Sequence, residues 1–374
     1  MSSATPDSQN RSQNTAYRNT PKAKKLLVAA SGTGGHLFPA IATAAQLSDY
    51  DIEWLGVPDR LETQLVPDCY RLHTIEVEGF QQRLSLKTIQ IFLRLVTSIW
   101  QVRKLLQVGQ FEAVLTTGGY IAAPAVVAAR SLGLPVVFHE SNALPGKVTR
   151  WLSRWCSVVA LGFAEAAQYL PGARTIPVGT PVRPQFLANV PATPPGLPIP
   201  DDVPLIVVVG GSQGAVAVNR LIRQSAPGWL EAGVWIVHLT GDNDPDAKSF
   251  SHPHYFPLPF YDEMAALLHR ATLAISRSGA GTLTELAITH TPSLLIPYPF
   301  AAEDHQTFNA KVFASAGAAQ LYSQTDLTPE LLQNTVLDLL KSPEELAKMA
   351  NAAEKLAIPD SADRLAQLID QLIP

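Results

Sequence analysis

At 374 residues the chain is long enough for two domains, each with its own core. An apolar fraction of 47% and a charged fraction of 16% fit a soluble globular protein, and a net charge of −4 argues against nucleic-acid binding. Two cysteines, Cys69 and Cys156, are too few for a disulfide framework or a metal cluster, and no uncharged apolar run reaches the roughly 18–20 residues of a membrane-spanning helix.

Residues 1–22 are polar and lack the apolar core of a secretory signal, so they read as a disordered tail. The apolar run 26–30 predicts a strand, Ser31-Gly32-Thr33-Gly34-Gly35-His36 a glycine turn, and 37–47 a helix. Glycines let a ligand approach the backbone, and a helix N-terminus offers N–H groups to an anion. A histidine on the first helical turn adds a titratable group to that anion site.

Residues 83–106 follow. Arg83, Lys87, Arg94, Arg103 and Lys104 alternate there with apolar residues that include Leu93, Val96, Ile99 and Trp100, and no acidic residue occurs from Gly79 to Phe111. Part of this helix must face the core. Its apolar residues exceed one stripe and its charge has one sign, which suits an anionic membrane surface.

The runs 113–115 and 135–138 read as strands, followed by Thr116-Thr117-Gly118-Gly119-Tyr120 and by His139-Glu140-Ser141-Asn142. Six prolines within 191–204 mark a linker or long surface loop. A second strand–glycine loop–helix unit then appears: 205–209, Gly210-Gly211-Ser212-Gln213-Gly214-Ala215, and 216–222. Further buried-strand runs are 235–239, 273–275 and 293–296. Their continuous apolar character is that of parallel strands covered on both faces. The reading is α/β: two Rossmann-like, doubly wound domains facing a cleft, with every polar and glycine cluster at a strand's carboxyl end, where such sheets bind ligands.

The first glycine loop is not a dinucleotide fingerprint, because Leu37 stands where the third glycine belongs. In the second, the Ser212 hydroxyl suits a diphosphate. Ser278 reads as the N-cap of a helix opened by Ala280-Gly281-Thr282-Leu283-Thr284-Glu285. Small residues there leave the N-terminus open to phosphate, and Glu285, one turn in, has a carboxylate that suits a ribose diol. Asp304 and His305 lack the third partner a metal site needs.

Six motifs in order carry a family resemblance: Gly32-Thr33-Gly34-Gly35-His36, Thr117-Gly118-Gly119-Tyr120, His139-Glu140-Ser141-Asn142, Gly179-Thr180-Pro181-Val182-Arg183, Gly210-Gly211-Ser212-Gln213-Gly214-Ala215 and Ser276-Arg277-Ser278-Gly279-Ala280. Together they resemble the MurG family of bacterial N-acetylglucosaminyltransferases, from about Lys25 to the last helix. The resemblance implies the GT-B architecture and transfer of N-acetylglucosamine from UDP-N-acetylglucosamine to lipid I, an undecaprenyl-linked acceptor, to give lipid II. It implies no cofactor and no catalytic metal. It also implies peripheral attachment to the cytoplasmic face of the plasma membrane and a place beside other cell-wall synthesis proteins.

On this reading 23–186 form the acceptor- and membrane-binding domain, 187–203 the linker, 204–358 the UDP-sugar domain, and 359–374 a helix returning to the first domain. His36 is the expected general base, with Glu140 as its rival. The substrate-binding set is Thr33, Gly34 and Gly35 on the donor-sugar side, Asn142 facing the cleft, Arg183 beside the diphosphate, Ser212, the Tyr261 backbone on the uracil, Ala280, Gly281, Thr282, Leu283, Thr284 and Glu285, and Gln306 and Asn309 on the sugar hydroxyls. Alternatives are another GT-B enzyme, such as a glycolipid glycosyltransferase or UDP-sugar epimerase, and a non-catalytic UDP-sugar-binding scaffold.

Overall fold

A computed structural model describes residues 23–77, 86–188, 190–191, 193–211 and 215–373. The expected tail, Arg83 and Ser212 lie outside the described residues, as does the side chain of Lys87.

Two parallel sheets form, one from each half of the chain. The first contains β1 (Lys24–Ala30), β2 (Tyr50–Gly56), β3 (Arg71–Thr74), β4 (Ala113–Gly118), β5 (Val136–Glu140), β6 (Val158–Leu161) and β7 (Thr175–Pro177), joined by α1 (Gly34–Ala44), α2 (Glu62–Leu65), α3 (Leu86–Gly109), α4 (Ala122–Ser131) and α5 (Lys147–Leu152). Its strand order is β3-β2-β1-β4-β5-β6-β7.

The second contains β8 (Leu205–Val209), β9 (Trp235–Leu239), β10 (Tyr255–Leu258), β11 (Leu273–Ser276), β12 (Ser293–Leu295) and β13 (Ala319–Leu321), with α6 (Val216–Glu231), α7 (Met264–Arg270), α8 (Ala280–Ile288), α9 (His305–Ser315), α10 (Pro329–Leu340) and α11 (Pro343–Leu356). Its order is β10-β9-β8-β11-β12-β13. In both sheets the order reverses beside the first strand, so each has a topological switch point: β1/β4 in one and β8/β11 in the other.

The apolar runs become central strands because helices cover both faces. In β1, Leu27 and Ala29 join the core under α3 and α4, while Leu26, Val28 and Ala30 join the one under α1. In β8, Leu205 and Val207 face α7 and α8, and Ile206 and Val208 face α6 and α10. The last helix, α12 (Ser361–Leu372), leaves the second sheet and covers the first. Leu365, Ala366, Leu368 and Ile369 pack against Leu26, Val28 and Leu37, and Lys24 Nζ donates to the Ile373 carbonyl at 2.8 Å.

The proline-rich segment is strapped to the second domain rather than free. Leu197 and Ile199 are buried in its core, Arg270 Nη2 donates to the Pro200 and Val203 carbonyls, and Tyr261 Oη donates to Pro195 at 2.7 Å.

Candidate active site

The first half of the site sits at the β1/β4 switch point. Ala29 pairs with Thr116 but Ala30 pairs with Gly118, so Thr117 is an extra residue in the ladder. Such a bulge re-aims its residue. Here the Thr117 carbonyl turns to His36 Nδ1 at 2.7 Å, and Thr117 Oγ1 donates to the His36 carbonyl at 2.7 Å. Thr33 is the N-cap of α1, with Gly34 and Gly35 its first residues.

A carbonyl only accepts, so Nδ1 carries the proton and Nε2 keeps its lone pair. Burial lowers the His36 pKa from 6.5 and outweighs the Glu140 carboxylate and the Thr117 carbonyl, which raise it; His305, on the second domain, lowers it further. The imidazole is therefore held neutral.

Glu140, at the end of β5, is surrounded by donors from its own loop. Oε1 accepts from the Asn142 backbone and side chain, both at 3.0 Å; Oε2 accepts from Gly146 N at 3.1 Å and Thr149 Oγ1 at 2.5 Å. This carboxylate shapes the 141–149 loop and is not placed to collect a substrate proton, which weakens its rival role as base. Thr149 escaped the sequence reading, and a threonine nine residues after a glutamate gives no local signal.

The second half is at the β8/β11 switch point. Gly279, not Ser278, is the N-cap of α8; the Ser278 hydroxyl instead donates to the Gln306 carbonyl at 2.8 Å. Ala280, Gly281 and Thr282 form the first turn of α8, Thr284 Oγ1 donates back to Ala280, and Leu283 is wholly buried, so its side chain belongs to the core. Glu285 Oε1 meets Arg183 Nη2 at 3.0 Å. The Arg183 guanidinium also lies 5.0 Å from the Phe38 ring of α1 and 5.0 Å from Phe186. Burial raises the Glu285 pKa, opposed by Arg183. The diphosphate and ribose residues of the sequence reading thus meet each other here.

Asn142 and Asn309 come together across the two domains. Asn309 Oδ1 accepts from Ala143 N at 2.8 Å, and its Nδ2 donates to Asn142 Oδ1 and to the Ser278 carbonyl, both at 3.1 Å. Asn309 is fully buried, so its amide joins the domains in this arrangement instead of standing open to a sugar. Arg150 adds a second bridge, to Glu303 at 2.5 Å. Gln306 is half-buried, and its Oε1 accepts from Tyr298 N at 2.9 Å. Tyr261 is tied to the linker through its hydroxyl, which leaves the backbone as the part available to a base.

Arg277 lies in the 276–280 motif of the family resemblance but carries no role of its own in the sequence. Its Nη1 donates to the Ile296 and Pro297 carbonyls at 2.9 Å, which fixes the loop that delivers Gln306. The motif marks its position but not the carbonyls it meets, which lie 19 and 20 residues further on. Among the described residues no group of three His, Cys, Asp or Glu side chains forms a metal cluster.

The model of the glycosyltransferase family 28 N-terminal domain matches residues 26–161, and that of the glycosyltransferase family 28 C-terminal domain matches residues 205–365. A protein of Nostoc punctiforme is 66% identical over 93% of this chain and 98% of its own length, and one of Trichormus variabilis is equally so. Both are named UDP-N-acetylglucosamine–N-acetylmuramyl-(pentapeptide) pyrophosphoryl-undecaprenol N-acetylglucosamine transferase. The crystal structure of Acinetobacter baumannii MurG superposes with a TM-score of 0.74 at 29% identity, covering 93% of this chain and 99% of that one.

Proposed function

The chain belongs to glycosyltransferase family 28, and we infer from that footing that it transfers N-acetylglucosamine from UDP-N-acetylglucosamine to the pyrophosphoryl-undecaprenol-linked N-acetylmuramyl pentapeptide, forming lipid II. The observation that carries the mechanism is the His36 tautomer. With Nδ1 tied to Thr117, Nε2 is the free base at the mouth of the first switch point.

The acceptor's 4-hydroxyl attacks the anomeric carbon of N-acetylglucosamine. The hydroxyl proton passes to His36 Nε2 as the new C–O bond forms, and the bond to UDP breaks on the opposite face, with inversion. The leaving diphosphate gathers charge, which the N-terminus of α8 and Arg183 stabilise. Glu285 exchanges Arg183 for the ribose hydroxyls when the donor enters. Thr33 to Gly35 border the reacting sugar, Gln306 meets its hydroxyls, the Tyr261 backbone holds the uracil, and Ser212 adds a hydroxyl to the diphosphate.

His36→Ala tests this. Turnover should fall about 10²–10⁴-fold, while UDP-N-acetylglucosamine still binds. Lost binding with turnover intact at saturation would remove His36 from the base role.

Membrane attachment rests on α3. Leu93, Val96, Trp100 and Val108 are exposed on one helical stripe, while Val102 and Leu106 on the other face are buried. Lys104 lies over Trp100, and Trp151 on α5 is 75% exposed. Apolar side chains beside cations suit the interface of an anionic leaflet, where the acceptor is anchored. No helix among the described residues is long and apolar enough to cross a membrane. Sedimentation with vesicles containing phosphatidylglycerol should capture the wild type and lose Trp100→Ser; equal capture of both would remove α3 from the docking surface.

A further inference from the structure

The turn between β2 and α2 lies outside every role assigned so far, yet it reaches the first glycine loop. Glu62 is wholly buried, with no exposed surface. Its Oε1 accepts from Val57 N at 2.7 Å and its Oε2 from Gly32 N at 3.2 Å, thirty residues back. A buried carboxylate is retained only where donors meet it, and here one of the two is a backbone N–H of the glycine loop. The close approach is built in: a Cβ on Gly56 would lie 2.7 Å from Glu62 Cγ. Gly32 itself has φ +102, a conformation that side-chain-bearing residues rarely hold, and Glu62 pins it there.

The same turn carries a cation. Asp59 has φ +58, and the next residue, Arg60, is exposed. Arg60 Nη1 comes within 3.9 Å of the point where a Cβ on Gly32 would stand. No ion pair among the described residues uses it. A guanidinium beside a glycine backbone, two residues before the helix that bears the base, is suited to an oxyanion that comes close to the loop.

We propose that the 57–62 turn is a working part of the acceptor site: Glu62 is a positioning residue that holds the first glycine loop, and Arg60 contacts the acceptor's diphosphate. This rests on the reading that the acceptor is a lipid-linked diphosphate. Arg60 adds a ligand contact on the first domain, separate from Arg183, which lies against Glu285 of the second. Glu62 acts through Gly32 on the loop, and through the loop on His36.

The test uses the full chain with a soluble short-chain lipid I analogue and, as a control acceptor, the same muramyl pentapeptide without its diphosphate. Wild-type transfer to the analogue checks the functional reading first; its absence would sink that reading and leave the turn out of account. With wild-type transfer in hand, Arg60→Ala should raise the KM for the analogue about tenfold, as loss of a charge-assisted hydrogen bond does. It should leave the control acceptor's KM and the Kd for UDP-N-acetylglucosamine unchanged, and Arg60→Lys should restore part of the loss. An unchanged KM for the analogue, or an equal rise for both acceptors, overturns the Arg60 assignment.

Glu62→Gln keeps the shape but turns an NH2 toward either Gly32 N or Val57 N. The kcat should fall at least about tenfold through misplacement of the loop, with the Kd for UDP, whose groups are proposed mainly on the second domain, unchanged. UDP affinity and kcat falling together, as general loosening would cause, overturns the positioning role. If Glu62→Gln does not fold, Gly56→Ala, whose Cβ would lie 2.7 Å from Glu62 Cγ and so pushes the carboxylate off Gly32 N, decides it: a kcat unchanged with acceptor KM also unchanged refutes the turn's part in the site.

Discussion

Gly118→Ala isolates the link between the Thr117 bulge and the base. Gly118 has φ +107, and a Cβ there would lie 2.9 Å from His36 Cε1 and 3.0 Å from Nδ1. Two costs follow. The backbone must hold an L residue at positive φ, at about 1–3 kcal/mol. The imidazole must also move, because real Cβ contacts of this length do not occur, and moving it lengthens the 2.7 Å bond to the Thr117 carbonyl. With a strain of about 2 kcal/mol, melting should drop by roughly 4–8 °C, and the protein stays folded. Turnover should fall about 10²-fold, the scale of a 1 Å misplacement of a reacting group. UDP-N-acetylglucosamine binding, measured by calorimetry, should hold, since the donor-binding groups proposed here lie mostly on the second domain. The decisive assay is a double-mutant cycle with His36→Ala. If Gly118→Ala acts through the ring, it should add almost nothing to the turnover already lost in His36→Ala. Additive losses would refute the argument, because the glycine would then matter for some reason other than the base.

Three further outcomes are expected. His139 and His238 are buried and kept neutral, with pKa values lowered by burial, that of His238 to about 3. The unfolded chain therefore binds protons that the folded chain refuses. Stability should hold above pH 6.5 and fall as the pH drops below it, with a slope of up to about 2.7 kcal/mol per pH unit from the pair, read from urea unfolding midpoints; a midpoint flat between pH 6.5 and 5 would refute it. Leu365→Ala should destabilise by about 3 kcal/mol, because this fully buried side chain of α12 packs on the first sheet, and circular-dichroism melts should register it although the residue stands only nine positions before Pro374. Arg183→Lys should weaken UDP-N-acetylglucosamine binding about tenfold in titration calorimetry, since an ammonium keeps the charge but loses the planar fork and the two flanking rings.

The elements were legible because parallel strands covered on both faces are apolar throughout. The runs 205–209 and 235–239 coincide with β8 and β9, and the two glycine loops fall at the two switch points. The kind of chemistry was legible too, since a glycine turn before a helix and a histidine on its first turn are local facts. Availability was not. Asn142 stands at a strand's end, where polar residues meet ligands, but the group that occupies its amide oxygen is Asn309, 167 residues away in the other domain. Glu140 reads as a free carboxylate, yet its own loop folds back and supplies four donors. The tautomer of His36 depends on a carbonyl 81 residues downstream that faces the ring only because Thr117 is an extra residue in its ladder. Residue type and spacing therefore tell which groups a site contains, while the proton a group carries and the partner it already has are set by contacts between distant segments. The base proposed here rests on the second kind of information: His36, the expected base in the sequence, and Glu140, its rival, separate further once the donors around each are counted.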